Sequence, residues 1–289
     1  MKFIVIRSNL KDGISAVQEA SGENLNLPIL KNGLFEAEGN KIKITATNLE
    51  IAITANVLGK VIEGGKFTAP IGLLASLISN IQSDRLNIEE KKGKVEVKTD
   101  NYEATIQGMP AADFPITPKV KDQSEGIEVK GGLLKEALSQ ALTAAQFSDL
   151  RPELNSVLFG FSVDSLKLVA TDSFRLAEKT IGSGQLVTGR KTAFEIMVPL
   201  KTAEALLRVL RDEDAVKIYH DQTQVLFKTE QAELLSRLVE GKFPDYGAII
   251  PQKFDTEIIF NRQELMGALK LAGIFGSKSS EVKLKVPEG

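Results

Sequence analysis

The chain of 289 residues has no cysteine and no tryptophan, and its single histidine is His220. The absence of cysteine excludes disulfides, catalytic thiolates and cysteine-based zinc sites. No apolar run approaches the ~20 residues that a membrane-spanning helix needs. The apolar stretch near the N-terminus, Phe3–Ile6, is too short for a signal peptide and predicts a strand instead. Together these absences favour a cytoplasmic protein.

An excess of one charge is also missing, since 36 basic residues stand against 38 acidic ones and the net charge is −2. Proteins that bind nucleic acid through many phosphate contacts usually carry a basic excess. Any contact with nucleic acid must therefore be local and loose. The hydrophobic fraction of 43% and the charged fraction of 26% are typical of a soluble globular protein.

Residues in catalytic arrangements are scarce. His220 lies beside Asp221 in a predicted turn, where a solvated histidine is a simpler interpretation than a general base. The sequence has no Gly-x-Ser-x-Gly elbow and no His-Glu-x-x-His helix, so no metal or cofactor is expected. An enzyme that uses paired carboxylates at a domain junction stays open as a hypothesis. It predicts a deep polar cleft with strongly perturbed acid pKa values.

What the chain does have is an internal repeat. At an offset of 124 residues, Ile42–Asn48 (IKITATN) recurs as Leu166–Asp172 (LKLVATD). The later part of the unit recurs at an offset of 129, with five extra residues predicted in a loop at Gly182–Lys191. A third copy begins near Phe254 at an offset of 131. The repeat predicts two complete domains, residues 1–124 and 125–252, followed by an incomplete third, residues 253–289.

A weaker similarity lies within each unit, where Lys2–Phe3 and the helix after it align with Lys66–Phe67 at an offset of 64. Internal symmetry of the unit and the shared amphipathicity of two helices explain this similarity equally well.

Periodicity predicts an α+β fold, with amphipathic helices packed on antiparallel sheets. Alternation predicts strands at Lys41–Thr47, Lys94–Lys98, Leu166–Ala170 and Val282–Val286, and a hairpin from Val216–Tyr219 and Gln224–Lys228. Helices are predicted around Leu10, Leu74, Leu134 and Leu206, the first capped by Ser8 or Asn9 and the second starting near Pro70.

Two groups of residues suggest function. Phe174 and Arg175 have no counterparts in the first copy, and an exposed aromatic beside an arginine is typical of a docking site for a peptide. A strand end whose Arg175 pairs with a local carboxylate is the alternative. Near the helices, four cations form a weakly positive set that ordinary surface residues explain nearly as well: Lys11, Lys135, Arg151 and Lys201.

Six segments in order carry a resemblance to a known family: Leu27–Leu30, Thr45–Glu50, Met109–Pro115, Arg151–Phe159, Val169–Ala177 and Ser236–Tyr246. They resemble the bacterial sliding clamps, the beta subunits of DNA polymerase III, from Met1 to about Val286. The resemblance implies similar tandem clamp domains in a head-to-tail dimer. In that ring the sheets lie outside and two helices per domain face duplex DNA. It also implies a non-catalytic processivity factor that tethers the replicative polymerase.

The resemblance further implies a cleft that binds short hydrophobic peptides of the polymerase and of clamp-loader subunits. On matching positions it comprises Leu154, Thr171, Ser173, Phe174, Arg175, Leu176, Pro244 and Ile249. The subunit contact would involve Ala104 and Ile106 on one side and Ile274 and Phe275 on the other.

Some positions depart from the family pattern. Ser173 replaces a frequent glycine, Ala248 and Ser279 lack side chains that relatives use, and Glu23–Asn24 lacks a DNA-contacting arginine. Family members also continue for most of another domain, so a C-terminally truncated chain is expected. A second reading remains, in which the chain is a peptide-binding scaffold of repeated domains that never loads on DNA.

Overall fold

The computed structural model describes residues 1–22, 24–121, 123, 126–148, 151–188, 192–251, 253–255, 257–276 and 281–285. The chain divides into two compact units, Met1–Phe243 and Pro244–Gly289. The first unit holds both complete copies of the repeat. The second unit holds the segment that was aligned as a third copy.

The first copy of the repeat consists of eight strands and two helices. Its first half contains β1 (Lys2–Ile6), α1 (Arg7–Gln18), β2 (Asn32–Glu38), β3 (Lys41–Thr47) and β4 (Ile51–Glu63). Its second half contains β5 (Gly65–Pro70), α2 (Ile71–Asn80), β6 (Arg85–Lys91), β7 (Lys94–Lys98) and β8 (Glu103–Gln107). Each half therefore has the order strand, helix and three strands, as an internally symmetric unit predicts.

The second copy repeats this order. Its first half contains β9 (Ile127–Lys130), α3 (Gly131–Ala141), β10 (Ser156–Phe161), β11 (Leu166–Thr171), β12 (Leu176–Ile181) and β13 (Leu186–Thr188). Its second half contains β14 (Phe194–Pro199), α4 (Leu200–Val209), β15 (Ala215–His220), β16 (Gln224–Lys228) and β17 (Ala232–Arg237). The predicted strands over Lys41–Thr47 and Lys94–Lys98 and the hairpin of β15 and β16 are confirmed.

Strand pairing is equivalent in the two copies. The first pairs its strands in the order β5-β2-β3-β4-β1-β6-β7-β8, and every pair is antiparallel. The second has the same order, except that β12 and β13 take the place of the long strand β4. A turn at Gly182–Gln185 separates these two strands, with the Gln185 N–H donating to Gly182 O at 3.2 Å. The prediction of a loop over Gly182–Lys191 is therefore wrong for Leu186–Thr188, and Gly189–Lys191 lie outside the described residues.

The two copies are joined by a strand pair. β17 lies antiparallel to the first half of β4, with Leu234 opposite Ile53. On one face of this junction, both side chains enter the main hydrophobic core. On the other face lies the segment that connects the two copies, which contains Pro110, Pro115 and Pro118. Its Val120 packs against Ala52, Leu226 and Leu235. The Pro-rich connector between the copies is thus fixed to the junction by an apolar anchor.

The helices pack through their apolar stripes, and α1 lies against β4 along Leu10, Ile14 and Val17. Gly13 permits this close packing, because a Cβ there would lie 2.4 Å from Val57 Cγ2. The predicted cap at Ser8 or Asn9 is wrong: α1 begins at Arg7, directly after β1, and the N-cap residue Ile6 makes no side-chain bond. The Arg7 N–H donates instead to Asp84 O at 2.8 Å, so a distant backbone carbonyl satisfies it.

The second unit contains one long helix, α5 (Arg262–Ile274), capped by Asn261, whose Oδ1 accepts from Gln263 N at 2.8 Å. None of its residues is buried. The predicted strand Val282–Val286 is not formed over 282–285, and Val286 lies outside the described residues. Ile258 and Phe260, aligned with strand residues of the second copy, are likewise not in a strand. Alternation alone makes no strand when no described strand lies beside it.

We expect Leu234→Ala to lower the free energy of unfolding by about 2–5 kcal/mol, because it leaves a cavity where β17 meets β4. Leu234 is 1% exposed and Val187 is 69% exposed. Val187→Ala is therefore the control, with an expected change within about 0.5 kcal/mol. Denaturant unfolding of both variants measures the difference. Equal midpoints for the two would contradict the junction described here.

Candidate partner-binding and DNA-facing surfaces

A tight turn between β11 and β12 presents the residues predicted for peptide binding. Thr171 Oγ1 donates to Arg175 O at 2.7 Å and accepts from the Ser173 N–H at 3.1 Å. Asp172 Oδ1 accepts from the Phe174 and Arg175 N–H groups at 2.9 and 2.7 Å. Ser173 has φ +76, the left-handed conformation that explains why glycine suits this position. We call residues Thr171–Arg175 the Phe174 turn.

Arg175 pairs with a carboxylate of its own turn. Its Nε and Nη2 atoms donate to Asp172 Oδ2 at 3.0 and 2.9 Å. The pKa of Asp172 is lowered to about 2, first because the Arg175 and Phe174 backbone N–H groups donate to it and then because of the Arg175 guanidinium. The ion pair therefore belongs to the turn, as the alternative interpretation of Arg175 predicted.

The same turn exists in the first copy. Thr47 Oγ1 donates to Ile51 O at 2.9 Å, and Asn48 Oδ1 accepts from the Glu50 and Ile51 N–H groups at 3.0 and 2.8 Å. Leu49, the counterpart of Ser173, also has φ +76. The organising role of Asn48 and Asp172 was missed at the sequence level. The signal for it was the repeated threonine followed by Asn or Asp, the residues that form such turns.

The side chain of Phe174 is 94% exposed, whereas Leu154 is buried and Leu176 is half-buried at the start of β12. Arg151, which is also predicted to face DNA, donates from Nη1 to Ser173 Oγ at 3.1 Å. The structure thus brings Arg151 to the Phe174 turn. Pro244 and Ile249 belong to the second unit, where Ile249 is 76% exposed at the end of the short helix Tyr246–Ile249.

The predicted DNA-facing lysines differ in their surroundings. Lys135 Nζ lies 2.7 Å from Asp212 Oδ1, whereas Lys11 and Lys201 are exposed and have no ion-pair partner among the described residues. Two arginines near the end of α4 were missed. Arg208 Nη1 lies 2.6 Å from Glu19 Oε2, and Arg211 Nη2 lies 2.9 Å from Asp12 Oδ2. These two pairs join α4 of the second copy to α1 of the first.

Half of the exposed positions of α1–α4 are uncharged and polar, and only three of the exposed residues are cations, Lys11, Lys201 and Arg208. The uncharged polar positions are Ser8, Ser15, Gln18, Ser76, Ser79, Asn80, Ser139 and Gln140. A face of this composition makes few strong contacts with phosphates, because it offers few cations.

The residues predicted for the subunit contact lie on both units. Ala104 and Ile106 are on β8, which pairs only with β7 among the described strands. The Ile106 side chain is 5% exposed and lies in the core of its own chain, so a contact at this strand would use the backbone. Ile274 and Phe275, at the end of α5, are largely exposed.

A large cavity of about 940 Å³ lies away from the Phe174 turn, beside β14 and the turn between β15 and β16. It contains none of the predicted cleft residues. His220 lines it at the end of β15, where its half-buried ring stacks on Phe194 with centroids 4.1 Å apart. The described residues contain no group of acidic or histidine side chains that could hold a metal ion. Among them, no helix is long and apolar enough to cross a membrane.

Comparison with known proteins identifies the family. The model of the DNA polymerase III beta subunit N-terminal domain matches residues 1–118, and the model of its central domain matches residues 128–245. The chain belongs to the DNA polymerase III beta subunit family. Its members are the sliding clamps, so the predicted clamp fold and the prediction of a non-catalytic processivity factor are confirmed. The hypothesis of an enzyme with paired carboxylates is therefore wrong.

Individual relatives agree with this assignment. The chain is 26% identical to the beta sliding clamp of Synechococcus elongatus, with 99% of this chain and 77% of the relative covered. It is 28% identical to that of Pseudomonas aeruginosa, with 100% and 79% covered. A crystal structure of the Pseudomonas aeruginosa clamp bound to griselimycin has a TM-score of 0.90 at 26% identity, with 96% of this chain and 75% of that chain covered. The Thermotoga maritima beta subunit has a TM-score of 0.85, also at 26% identity, with 94% and 74% covered.

We expect the Asp172 carboxyl of this clamp to titrate with a pKa of about 2. Because the folded pKa is depressed, the stability from Asp172 is present above the ordinary carboxyl pKa of 3.8 and is lost as the pH falls through about 2. Carboxyl NMR measures the titration, and Asp172→Asn assigns the signal. That variant keeps the turn, because Asn48 makes the same backbone bonds in the first copy. A titration near 3.8 would contradict the bonding of this turn.

Proposed function

We propose that this sliding clamp encircles duplex DNA without sequence preference and tethers the replicative polymerase to its template in the cytoplasm. The observation that supports this most directly is the joining of two equivalent repeats by one continuous sheet at β4 and β17. An assembly that extends by equivalent junctions produces a curved array of repeats. Helix faces with few free cations suit a protein that must move along DNA rather than bind one place.

Residues 1–124 and 125–252 would act as complete clamp domains, with residues 253–289 belonging to a third. Lys11, Lys135, Arg151 and Lys201 remain the proposed DNA-facing residues. Lys11 and Lys201 are the stronger candidates, because Lys135 is paired with Asp212 and Arg151 is bonded to Ser173. The proposed homodimer contact uses Ala104 and Ile106 with Ile274 and Phe275 of the other subunit.

For the polymerase and the clamp-loader subunits, we propose docking of short hydrophobic peptides at the Phe174 turn. The Asp172–Arg175 ion pair and the Thr171 hydroxyl fix the backbone of the turn, so little backbone freedom is left to lose when a peptide covers the exposed Phe174 ring. An aromatic side chain on a fixed turn is a suitable binding anchor. Leu154 and Leu176 would provide apolar contacts beside it, and Pro244 and Ile249 are proposed to complete the surface.

The encirclement proposal predicts that the protein, loaded by a bacterial clamp loader with ATP, co-elutes with nicked circular DNA in gel filtration. Linearising the circle should release it, because a topological link needs no strong contact. Lys11→Ala/Lys201→Ala should shorten retention on the circle at low salt without abolishing it. Equal retention on linear DNA would contradict a topological link. Absence from both DNAs with peptide binding intact would favour the scaffold reading.

The docking proposal predicts that Phe174→Ala weakens binding of a labelled peptide with leucine and phenylalanine anchors by about 30-fold, the roughly 2 kcal/mol typical of a hot-spot aromatic. Arg175→Ala should have a smaller effect, since its guanidinium is largely exposed. Glu50→Ala is the matched control at the equivalent turn of the first copy and should leave binding unchanged. Fluorescence anisotropy gives the affinities. Unchanged titrations for both Phe174→Ala and Arg175→Ala would refute the assignment.

A further inference from the structure

The large cavity beside β14 has a smaller counterpart in the first copy. At the edge of that counterpart, the Gly108 N–H donates to Gly93 O at 2.9 Å. The Leu238 N–H makes the equivalent bond to Thr223 O at 2.8 Å at the large cavity. The first-copy cavity lies beside β5 and the end of β8 and has a volume of about 370 Å³, against about 940 Å³ beside β14. The same duplicated scaffold is therefore more open in the second copy.

One side chain accounts for much of this difference. In the first copy, Thr68 Oγ1 on β5 donates to Met109 O at 2.7 Å and accepts from the Met109 N–H at 3.0 Å. Its hydroxyl thereby joins β5 to the chain that follows β8. The residue that matches Thr68 in the second copy is Met197, which has no hydroxyl. A single bond remains there, from the Val239 N–H to Met197 O at 2.9 Å, and the space beside β14 is left open.

The backbone of β14 faces this cavity with unused donors and acceptors. Among the described strands, β14 pairs only with β10. Because the Val239 N–H donates to Met197 O, the backbone groups of Met197 and Glu195 face away from β10. The Glu195 N–H and C=O and the Met197 N–H have no hydrogen-bond partner among the described residues. Extended peptides bind proteins by adding a strand to an edge of this kind.

The cavity wall offers apolar contact and one unused acceptor. Leu158, Ile196 and Phe243 are buried side chains of this wall. Gln224 also lines it, and its buried Oε1 atom has no hydrogen-bond partner within the described part of the chain. A buried acceptor without a donor costs stability unless a ligand supplies the donor. A bound peptide has both an N–H group for this acceptor and an apolar side chain for the wall.

Carboxylates outnumber cations around the cavity. The acidic side chains that line it are Glu50, Glu195, Asp221 and Glu240, and the basic ones are Arg237 and Lys242. Glu195 and Glu240 are exposed, and neither has an ion-pair partner among the residues that the structure describes. A cleft with an excess of one charge attracts ligands of the opposite charge. The charge of this cavity therefore favours a basic ligand.

We infer that this cavity is a second partner-binding site, which takes an extended peptide whose basic residues alternate with apolar ones. The peptide pairs with the outer edge of β14 at Glu195. Successive side chains of a strand point to opposite sides, so its apolar residues contact Leu158 and Ile196 while its basic residues reach Glu195 and Glu240. The site lies away from the Phe174 turn, and it rests neither on that docking proposal nor on DNA encirclement.

Fluorescence anisotropy with a labelled peptide of alternating leucine and lysine tests the site. Glu195→Gln/Glu240→Gln should weaken binding about fivefold, because two exposed charge contacts are lost. Glu204→Gln/Glu213→Gln is the matched control, since it removes two exposed carboxylates that lie outside the cavity. The control should bind the peptide like the wild type. The leucine and phenylalanine peptide used for the Phe174 turn should not compete.

Further measurements locate the peptide. Replacing its leucines by serine, or methylating its backbone nitrogens, should each weaken binding about tenfold, because apolar burial or strand bonds are lost. In NMR, amide hydrogen exchange at Glu195 and Met197 should slow when the peptide is bound. Gln224→Leu should weaken binding without lowering the unfolding midpoint, because the free chain loses no side-chain hydrogen bond.

Four results would each overturn the inference. They are no binding of the alternating peptide, equal binding of a peptide with glutamate in place of lysine, equal affinity of the wild type and Glu195→Gln/Glu240→Gln, and unchanged exchange at Glu195 and Met197. Competition by the peptide of the Phe174 turn would do the same. Neither DNA nor the Phe174 turn takes part in these measurements, so failure of the proposed function would leave their result unaffected.

Discussion

The pairing of β17 with β4 is the interaction on which the rest of the first unit depends. β4 extends over Ile51–Glu63, and its second half is covered by β1, which leaves the first half to accept a strand from elsewhere. The last strand of the second copy fills that place and satisfies backbone groups that would otherwise form an edge. Because the pairing continues a sheet, it fixes the register of one repeat against the next. The buried pair Leu234 and Ile53 then favours this register over its neighbours, since a shift of one residue would turn each side chain to the wrong face.

The same junction explains why the Phe174 turn and the equivalent turn at Thr47 and Asn48 carry different exposed side chains. Their backbone bonds are equivalent, so the scaffold of the turn is common to both copies. In the first copy, Ile51 follows the turn and is buried, because β17 lies beside it. In the second copy, β12 pairs with β11 on one edge and has no described strand on the other edge, and Arg175 at the matching position is largely exposed. The uncovered edge thus leaves Phe174 and Arg175 exposed, as the proposed docking surface needs, whereas the covered edge requires an apolar residue.

Sequence patterns predicted the helices and strands whose signals are local. They failed where a cap or a strand depends on a residue far away in the sequence. Alternation located β3 and β7 because both have one polar and one core face. The cap of α1 could not be predicted, because a backbone carbonyl far away in the sequence accepts from its first N–H group. The other helices behave in the same way: the Gly131 N–H of α3 donates to Asp214 O at 2.7 Å, and the Leu200 N–H of α4 donates to Asn155 O at 2.8 Å. The segment Val282–Lys285 has the alternation of a strand, but a strand needs a hydrogen-bonding partner, which the pattern does not contain. The exposure of Phe174 was predicted from a difference between the two copies, whereas the contact of Arg151 with Ser173 joins distant residues and has no local signal.

The ion pairs between the two repeats also affect how strongly the helix face attracts DNA. Arg208 and Arg211 would add two cations to the helix face, but Glu19 and Asp12 of the other repeat neutralise them. Exposed pairs of this kind add little to stability. Their larger consequence is for the field near the helices, because each paired carboxylate cancels a charge that phosphates would otherwise attract. Counterion release scales with the number of phosphates that a protein neutralises. Because these two arginines are already paired, the affinity for DNA is lower, and so is the energetic cost of shifting from one phosphate to the next. A balanced net charge and paired arginines are therefore the composition expected of a protein held on DNA by its shape.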